Sequence, residues 1–217
     1  MHDIIFILAV IYAFAAISLA IYGFNALLFS ALFVWLRRRE THAAAVEAVS
    51  PESFPSVTIK LPIINQRFVV ERLIKAVAAI DYPRQQLSIQ VLDDSTDDTA
   101  ALARAQVAHY KAQGVNIDYV RRPNRTGYKA GALAYGLEHT PADFVAVFDA
   151  DFIPPRDFLR KMMPYFSSEK IGVVQARWGH LNAGYSMLTR GQAIGLDAHF
   201  VLEHGARNSS GIFINFN

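Results

Sequence analysis

The sequence predicts an α/β fold with a mostly parallel sheet, preceded by one N-terminal transmembrane helix. No Asp, Glu, Lys or Arg occurs from Ile4 to Leu36, and a helix of about 20 apolar residues is enough to cross a bilayer. After Pro55, short apolar segments alternate with amphipathic ones, as they do in βαβ units. The short segments are almost continuously apolar, which is typical of parallel strands that are covered on both faces.

Composition narrows the classes of function. The chain has 217 residues, no cysteine and a formal net charge of +2. The lack of cysteine excludes disulfides, thiolate metal sites and a cysteine nucleophile. The Lys and Arg residues are scattered rather than clustered, so we expect no nucleic-acid partner.

The apolar run predicts a transmembrane helix over residues 1–36, followed by a juxtamembrane linker over 37–55. A signal peptide is the alternative, but its apolar region spans only about 7–15 residues and follows a positive segment. Here Arg37, Arg38 and Arg39 come after the run, so the N-terminus is expected outside and the rest of the chain in the cytoplasm. The apolar run is longer than a single bilayer span requires, and tilt of the helix or an interfacial continuation would account for the additional residues. With no eukaryotic targeting signal, the bacterial inner membrane is favoured over the plant Golgi.

Strands and helices in the remaining domain, 56–217, follow from hydrophobic periodicity and from turn residues. The predicted strands are 57–61, 87–92, 115–120, 144–148 and 171–175. The predicted helices are 67–80, 95–113, one that begins near Lys129, 156–166 and 185–204. Asp97 and Asp98 are expected to cap the second of these helices, and Gly114 to end it.

Polar residues follow four successive predicted strands. They are Asn65 after the first, Asp93 and Asp94 after the second, Arg121, Arg122, Asn124 and Arg125 after the third, and Asp149 and Asp151 after the fourth. Because open α/β sheets bind ligands beyond the carboxyl ends of their strands, a ligand site is predicted at this edge.

Asp149 and Asp151 are separated by one small residue after an apolar strand. In an extended segment their carboxylates would point to the same side and repel each other unless a cation were near. Mg²⁺ or Mn²⁺ held by such carboxylates together with substrate phosphates fits this pattern. The alternative is a turn with two solvated acids.

Residues 125–133 place glycines and cations at a predicted helix N-terminus, which suits an anion. Lys129 would add a full charge near a diphosphate, and Gly131 and Gly136 would permit close approach. A loop with a solvated lysine is the alternative. Asp93 is expected to contact the base or ribose of a nucleotide.

Aromatic and histidine residues near the end of the chain carry weaker signals. Arg177 and Trp178 are interpreted as part of an acceptor groove, with a packed tryptophan as the alternative. His199 and Glu203 are spaced to share a helix face, where either a substrate role or a structural role is open.

Five segments resemble, in family order, glycosyltransferase family 2, and within it the cellulose-synthase-like branch of mannan, glucomannan and glucan synthases. They are LPIINQ (61–66), QVLDDSTD (90–97), GYKAGAL (127–133), FDADF (148–152) and VQARW (174–178). The resemblance implies a GT-A fold, which is Rossmann-type, and a divalent cation, Mg²⁺ or Mn²⁺. It also implies an inverting, membrane-anchored enzyme that transfers a hexose from UDP-glucose or GDP-mannose to a growing β-glycan.

The resemblance also implies roles for individual residues and partners. Nucleotide-sugar contacts are expected from Pro62, Asn65, Gln66, Asp93, Lys129 and Asp149, and metal contacts from Asp149 and Asp151. The expected partners are the nucleotide-sugar donor, a glycan acceptor, the lipid bilayer and a partner synthase subunit.

Two departures from the family pattern leave alternatives open. Gln66 stands where the family usually has an acid, and Ile64 where it has an aromatic residue. The catalytic base is expected beyond Asn217, so the chain is interpreted as an N-terminal fragment whose catalytic residue is unknown. A truncated, donor-binding or non-enzymatic paralogue is the main alternative, and a nucleotidyltransferase on a similar sheet is another.

Overall fold

A computed structural model of the protein describes residues 2–37 and 54–211. The chain divides into two compact units. The helical unit comprises Met1–Ala45 and Gln175–Asn217, and the sheet unit comprises Val46–Val174. Most of the predicted linker, residues 38–53, and the end of the chain, residues 212–217, lie outside the described residues.

The sheet unit contains a four-stranded sheet in the order β3-β2-β1-β4, and every strand pair is parallel. The strands are β1 (Val57–Ile63), β2 (Leu87–Asp93), β3 (Ile117–Val120) and β4 (Phe144–Val147). The first four predicted strands are therefore confirmed, with small shifts at their ends. The strand order reverses between β1 and β4, and ligands bind at such a switch point in open α/β sheets.

The helices confirm the predicted alternation with the strands. They are α1 (His2–Arg37), α2 (Val70–Ala78), α3 (Thr99–Ala112), α4 (Tyr128–Glu138), α5 (Phe158–Met162), α6 (Met187–Asp197) and α7 (Gly205–Ser209). Short 3₁₀ turns cover Arg84–Gln86 and Met163–Tyr165, and a π-helix, Ala198–His204, joins α6 to α7.

The predicted helices differ from the observed ones at their ends. The helix predicted over 95–113 begins at Thr99, and the helix predicted over 185–204 begins at Met187 and becomes a π-helix at Ala198. The helix predicted over 67–80 begins at Val70, because the amides of Val69 and Val70 first close a turn on the Gln66 carbonyl. The helix predicted over 156–166 changes to a 3₁₀ turn at Met163. Pro164 lies in that turn, and proline removes an α-helical hydrogen bond.

The predicted fifth strand, residues 171–175, is wrong: these residues adopt no strand in the structure. Val173 is 60 % exposed, and Gly172 interrupts the apolar run. A strand requires hydrogen bonds to a neighbouring strand, and none of the described strands pairs with these residues. The apolar pattern alone was therefore not sufficient to form one.

The two faces of the sheet differ in polarity because side chains alternate along each strand. On one face, Ile59, Leu61, Ile89 and Val91 join the buried core that α2 and α3 also supply. On the other face, Lys60 of β1 is buried, and its Nζ donates to Gln90 Oε1 at 2.6 Å and to Thr140 Oγ1 at 2.7 Å. Burial lowers the pKa of Lys60. These hydrogen bonds tie β1 to β2 and to the residues that follow α4.

In the helical unit, α1 carries an apolar span, Asp3–Trp35, with a mean hydropathy of 2.8. It is the one helix of the described residues that is long and apolar enough to cross a membrane. At 1.5 Å per residue this span is about 50 Å long, whereas a bilayer core is about 30 Å thick. The helix is therefore longer than a bilayer core is thick, as the sequence indicates.

Candidate active site

Asp93 ends β2 in a buried polar network. One carboxylate oxygen accepts a hydrogen bond from the Ser95 amide at 2.8 Å, and the other accepts from the Tyr119 hydroxyl. The Arg121 guanidinium lies 3.6 Å from the second oxygen and donates to the Ser95 carbonyl at 2.9 Å. The Asp93 side chain has no exposed surface, whereas that of Arg121 is 42 % exposed. The direct contact between Asp93 and a nucleoside stays a prediction, and Arg121 is the accessible group beside it.

Replacing Tyr119 with phenylalanine tests this network. The substitution leaves one buried carboxylate oxygen without its hydroxyl donor, and a hydrogen bond to a charged group contributes about 1.5–3 kcal/mol. We expect the free energy of unfolding, measured in urea, to fall by that amount. Tyr165→Phe is the matched control, because Tyr165 is 51 % exposed. Equal losses for the two variants would contradict the assigned network.

Arg122 and Asp94 form a second, largely buried pair at this edge. Arg122 Nε lies 2.9 Å from Asp94 Oδ1, and its terminal nitrogen lies 2.6 Å from Oδ2. The hydrogen bond with Asp94 raises the pKa of Arg122. Arg122 also donates to the carbonyls of Thr126 and Tyr128, so the pair fastens the loop before α4 to the end of β2. Both residues were expected among the polar groups at this edge, but their pairing was not predicted. The signal for it is that opposite charges follow two adjacent strands.

The loop before α4 folds tightly over the first turn of that helix. Gly127 and Tyr128 both have left-handed backbone angles, with φ of 73° and 50°. A Cβ atom on Gly131 would lie 2.0 Å from the Thr126 carbonyl oxygen and 2.6 Å from an Arg122 nitrogen. The predicted close approach at Gly131 is therefore present, and its neighbour is the chain's own backbone.

Lys129, in the first turn of α4, donates a hydrogen bond to Asp149, which follows β4. Phe148 and Ala150 are buried, whereas Asp149 is partly exposed and Asp151 exposed. The segment is not extended as predicted, because the Phe152 amide donates to the Asp149 carbonyl at 3.1 Å and closes a turn. Alternating burial nevertheless leaves both carboxylates outside the core.

Protein side chains supply only part of the ligands that a divalent cation would need at this site. Among the described residues, no group of three or more His, Asp or Glu side chains is placed to hold a metal. Mg²⁺ and Mn²⁺ are commonly held by one or two carboxylates, with phosphate and water oxygens completing the shell. Asp149 and Asp151 supply that number of carboxylates.

Asn65 lies just beyond β1 and is tied to the loop after β2. Its backbone has a φ of 50°, its amide donates to Ser95 Oγ at 3.0 Å, and its side-chain oxygen accepts from the Thr96 amide at 2.9 Å. The next residue, Gln66, is exposed. Pro62 pairs with Leu92 of β2, past the last β1 residue that pairs with β4. Its missing N–H is thus tolerated at an edge-like position.

The caps expected for α3 are confirmed for one acid only. Asp97 Oδ1 accepts a hydrogen bond from the Thr99 amide at 3.0 Å. Hydrogen bonding with Thr99 lowers the pKa of Asp97. Asp98 occupies the N-cap position, but its side chain makes no cap hydrogen bond, so that part of the prediction is wrong. The carboxylate of Asp97 already accepts the hydrogen bond of the first helix amide, Thr99.

Arg177 and Trp178 belong to the helical unit. Arg177 lies 3.6 Å from Asp197 Oδ1, and the Trp178 ring packs on Phe200 with centroids 5.3 Å apart. His199 Nδ1 lies 3.0 Å from Glu203 Oε2, so this pair shares a face as expected. The role of Arg177 and Trp178 in acceptor binding stays a prediction.

Comparisons with known proteins identify the family to which the chain is related. The family model described as "Glycosyl transferase family 2" matches residues 58–208. Glucomannan 4-beta-mannosyltransferase 7 of Arabidopsis thaliana is 41 % identical over 170 residues, which cover 76 % of this chain and 31 % of the relative. Glucomannan 4-beta-mannosyltransferase 1 of Oryza sativa subsp. japonica is 42 % identical over 170 residues, covering 76 % and 33 %. The chain thus spans about a third of the length of these relatives.

A solved structure shows the same fold. The mannosyltransferase PcManGT from Pyrobaculum calidifontis, in complex with GDP-Man and Mn²⁺, superposes with a TM-score of 0.57 at 25 % identity. The match covers 70 % of this chain and 45 % of that one. The GT-A fold expected from the sequence is therefore confirmed. The family match extends over most of the chain, and the protein belongs to glycosyltransferase family 2.

Proposed function

We propose that this protein binds a nucleotide sugar at the carboxyl edge of its sheet and transfers the hexose, with inversion, to a growing β-glycan. The contact between Lys129 and Asp149 carries the proposal. It brings a cation from the first turn of α4 beside the carboxylate that follows β4. The free backbone amides of a helix N-terminus suit a diphosphate, and Lys129 adds a full positive charge there.

Each group at the edge has a defined task in this proposal. Asp149 and Asp151 would hold the divalent cation, which supplies positive charge that offsets the charge of the departing nucleoside diphosphate. Lys129 binds the diphosphate directly. Asn65 and Gln66 hydrogen-bond the nucleoside, and Asp93 orients Arg121 toward it. No residue of this chain is assigned as the base.

The donor favoured by the comparisons is GDP-mannose rather than UDP-glucose. Two relatives are named as glucomannan 4-beta-mannosyltransferases, and the solved neighbour holds GDP-Man and Mn²⁺. The mannosyl donor and the β-glycan acceptor are carried over from those proteins as part of the proposal.

Calorimetric titration of the purified protein tests donor binding. We expect GDP-mannose to bind in the presence of Mn²⁺, to bind more weakly after chelation, and to bind more tightly than UDP-glucose. A folded protein that binds neither donor would contradict the proposal. Release of GDP together with a mannosylated product distinguishes a transferase from a non-enzymatic donor-binding paralogue, which would bind the donor without consuming it.

We also propose that α1 anchors the protein in a membrane, with its N-terminus outside and the rest of the chain in the cytoplasm. The apolar span Asp3–Trp35 and the arginines that follow it support this topology. The relatives described above come from plants, so they give no support to the bacterial inner membrane expected from the sequence.

A further inference from the structure

Lys60 is a buried lysine that has no task in the proposed function as stated above. It lies on β1, on the face of the sheet that α4 covers, and only 1 % of its surface is exposed. Lysine is almost never fully buried unless its charge is paired, because moving an ammonium out of water is costly. Here two neutral side chains, those of Gln90 and Thr140, accept its hydrogen bonds. Such a costly arrangement indicates a role beyond filling the core.

The side chain of Lys60 fastens the last turn of α4 to the sheet. Its Nζ donates to Thr140 Oγ1 at 2.7 Å, and that hydroxyl donates in turn to the Gly136 carbonyl at 2.7 Å. Gln90, on β2, accepts from the same Nζ at 2.6 Å and donates to the His139 carbonyl at 3.2 Å. The negative end of the helix dipole favours a cation at this position. Lys60 and Gln90 therefore form a clamp between two strands and the end of α4.

Polar contacts contribute more than apolar packing to the attachment of α4. Its buried residues, Ala132 and Gly136, are small, whereas α2 buries four branched aliphatic side chains. Most helical stability in a globular protein comes from the packing of an apolar face, and α4 has little such packing. Its first turn is also held by polar contacts, because Arg122 donates to the carbonyls of Thr126 and Tyr128. The position of α4 therefore depends on the polar groups at its two ends.

The backbone of Lys60 also holds the segment that carries Asp149. Its carbonyl accepts a hydrogen bond from the Phe148 amide at 3.2 Å, and Phe148 directly precedes Asp149. Lys60 is the last β1 residue that pairs with β4, opposite Val147. One residue thus contacts both the helix that carries Lys129 and the segment that carries Asp149. The contact between those two groups is the one on which the proposed function depends.

We propose that Lys60 is a positioning residue: by clamping α4 to β1, it sets the position of Lys129 relative to Asp149 and so the affinity for the diphosphate of the donor. The inference rests on the proposed function. Helix α4 has 11 residues and is about 16 Å long, so it moves as one short rod. Loss of the clamp at its last turn therefore displaces its first turn, where Lys129 lies. Lys60 itself needs no contact with the donor.

Lys60→Met tests the proposal, because methionine is a flexible side chain that fills core space without forming these hydrogen bonds. We expect calorimetric binding of GDP with Mn²⁺ to weaken about tenfold, within the range for substitutions in a network that couples two sites. Thr58→Val is the matched control: Thr58 is buried on the same face of β1, but its hydroxyl bonds Ser88 of β2 rather than the end of α4. Both variants are expected to unfold at lower urea concentrations, and only Lys60→Met to lose GDP affinity. Equal affinity losses, or an unchanged affinity in Lys60→Met, would overturn the proposal.

A distance measurement without any donor separates this inference from the proposed function. The sequence contains no native cysteine, so spin labels can be placed on Ala108→Cys in α3 and Ala134→Cys in α4, both exposed positions. The two helices lie on opposite faces of the sheet, and double electron–electron resonance measures the distance between their labels. We expect Lys60→Met to shift or broaden the distance distribution and Thr58→Val to leave it unchanged. An unchanged distribution in Lys60→Met would overturn the inference even if GDP binds, whereas a shift in a protein that binds no GDP would support the clamp and contradict the proposed function.

Thr140→Val provides a second variant in case Lys60→Met does not fold. It removes the acceptor on the α4 side of the clamp and leaves the hydrogen bond between Lys60 and Gln90. We expect the same changes in label distance and GDP affinity, but smaller ones. A folded Thr140→Val protein with unchanged distance and unchanged affinity would overturn the proposal.

Discussion

Under the proposed function, Asp149→Asn is expected to lower the rate of hexose transfer by about 10²–10³-fold, as removal of a group that stabilises transition-state charge does elsewhere. The substitution removes one of two carboxylates available for the cation and the ionic partner of Lys129. Binding of Mn²⁺ in the presence of GDP-mannose, followed by electron paramagnetic resonance, is expected to weaken in parallel. Folding should be retained, because Asp149 lies outside the core.

Asp157→Asn is the matched control for this substitution. Asp157 is also a partly exposed aspartate of the sheet unit with a lysine partner, since Lys161 Nζ lies 2.6 Å from its carboxylate. It lies outside the carboxyl edge of the strands, so we expect donor binding and Mn²⁺ binding to remain unchanged. Loss of metal binding in both variants, or in neither, would remove Asp149 from the metal site.

Gly131→Ala is expected to destabilise the sheet unit and to reduce donor affinity at least about tenfold. Within a helix this substitution normally stabilises by about 1 kcal/mol. Here the added Cβ would lie 2.0 Å from the Thr126 carbonyl oxygen, and a backbone atom cannot rotate away as a side chain can. Overpacking typically costs about 1–3 kcal/mol, and the displaced loop carries the backbone contacts of Arg122. Urea unfolding and calorimetric donor titration measure the two effects.

Two other glycines provide a graded comparison. A Cβ on Gly136 would lie 2.9 Å from a Leu92 side-chain atom and 3.0 Å from Lys60 Nζ, so Gly136→Ala is expected to cost less, because side chains can adjust. Gly172 has no atom within 4 Å of its Cβ position, so Gly172→Ala should be nearly neutral. A Gly131→Ala variant as stable as Gly172→Ala would contradict the described loop geometry.

Local sequence patterns determined the element types and the edge at which polar groups collect. A charge-free run of residues gives α1, and alternating apolar segments give four parallel strands. The positions of Asn65, Asp93 and Asp149 follow directly, because every parallel strand in one sheet ends at the same edge.

Only the tertiary structure decided how those groups are partnered. Whether Asp93 is exposed depends on Tyr119, which is contributed by another strand, and the role of Arg122 depends on Asp94 after β2. The failed strand at 171–175 has the same cause, since a strand exists only where a neighbour supplies hydrogen bonds. Periodicity is a property of adjacent residues and can be read along the chain. Pairing and burial are set by residues far apart in sequence, and folding alone brings those residues together.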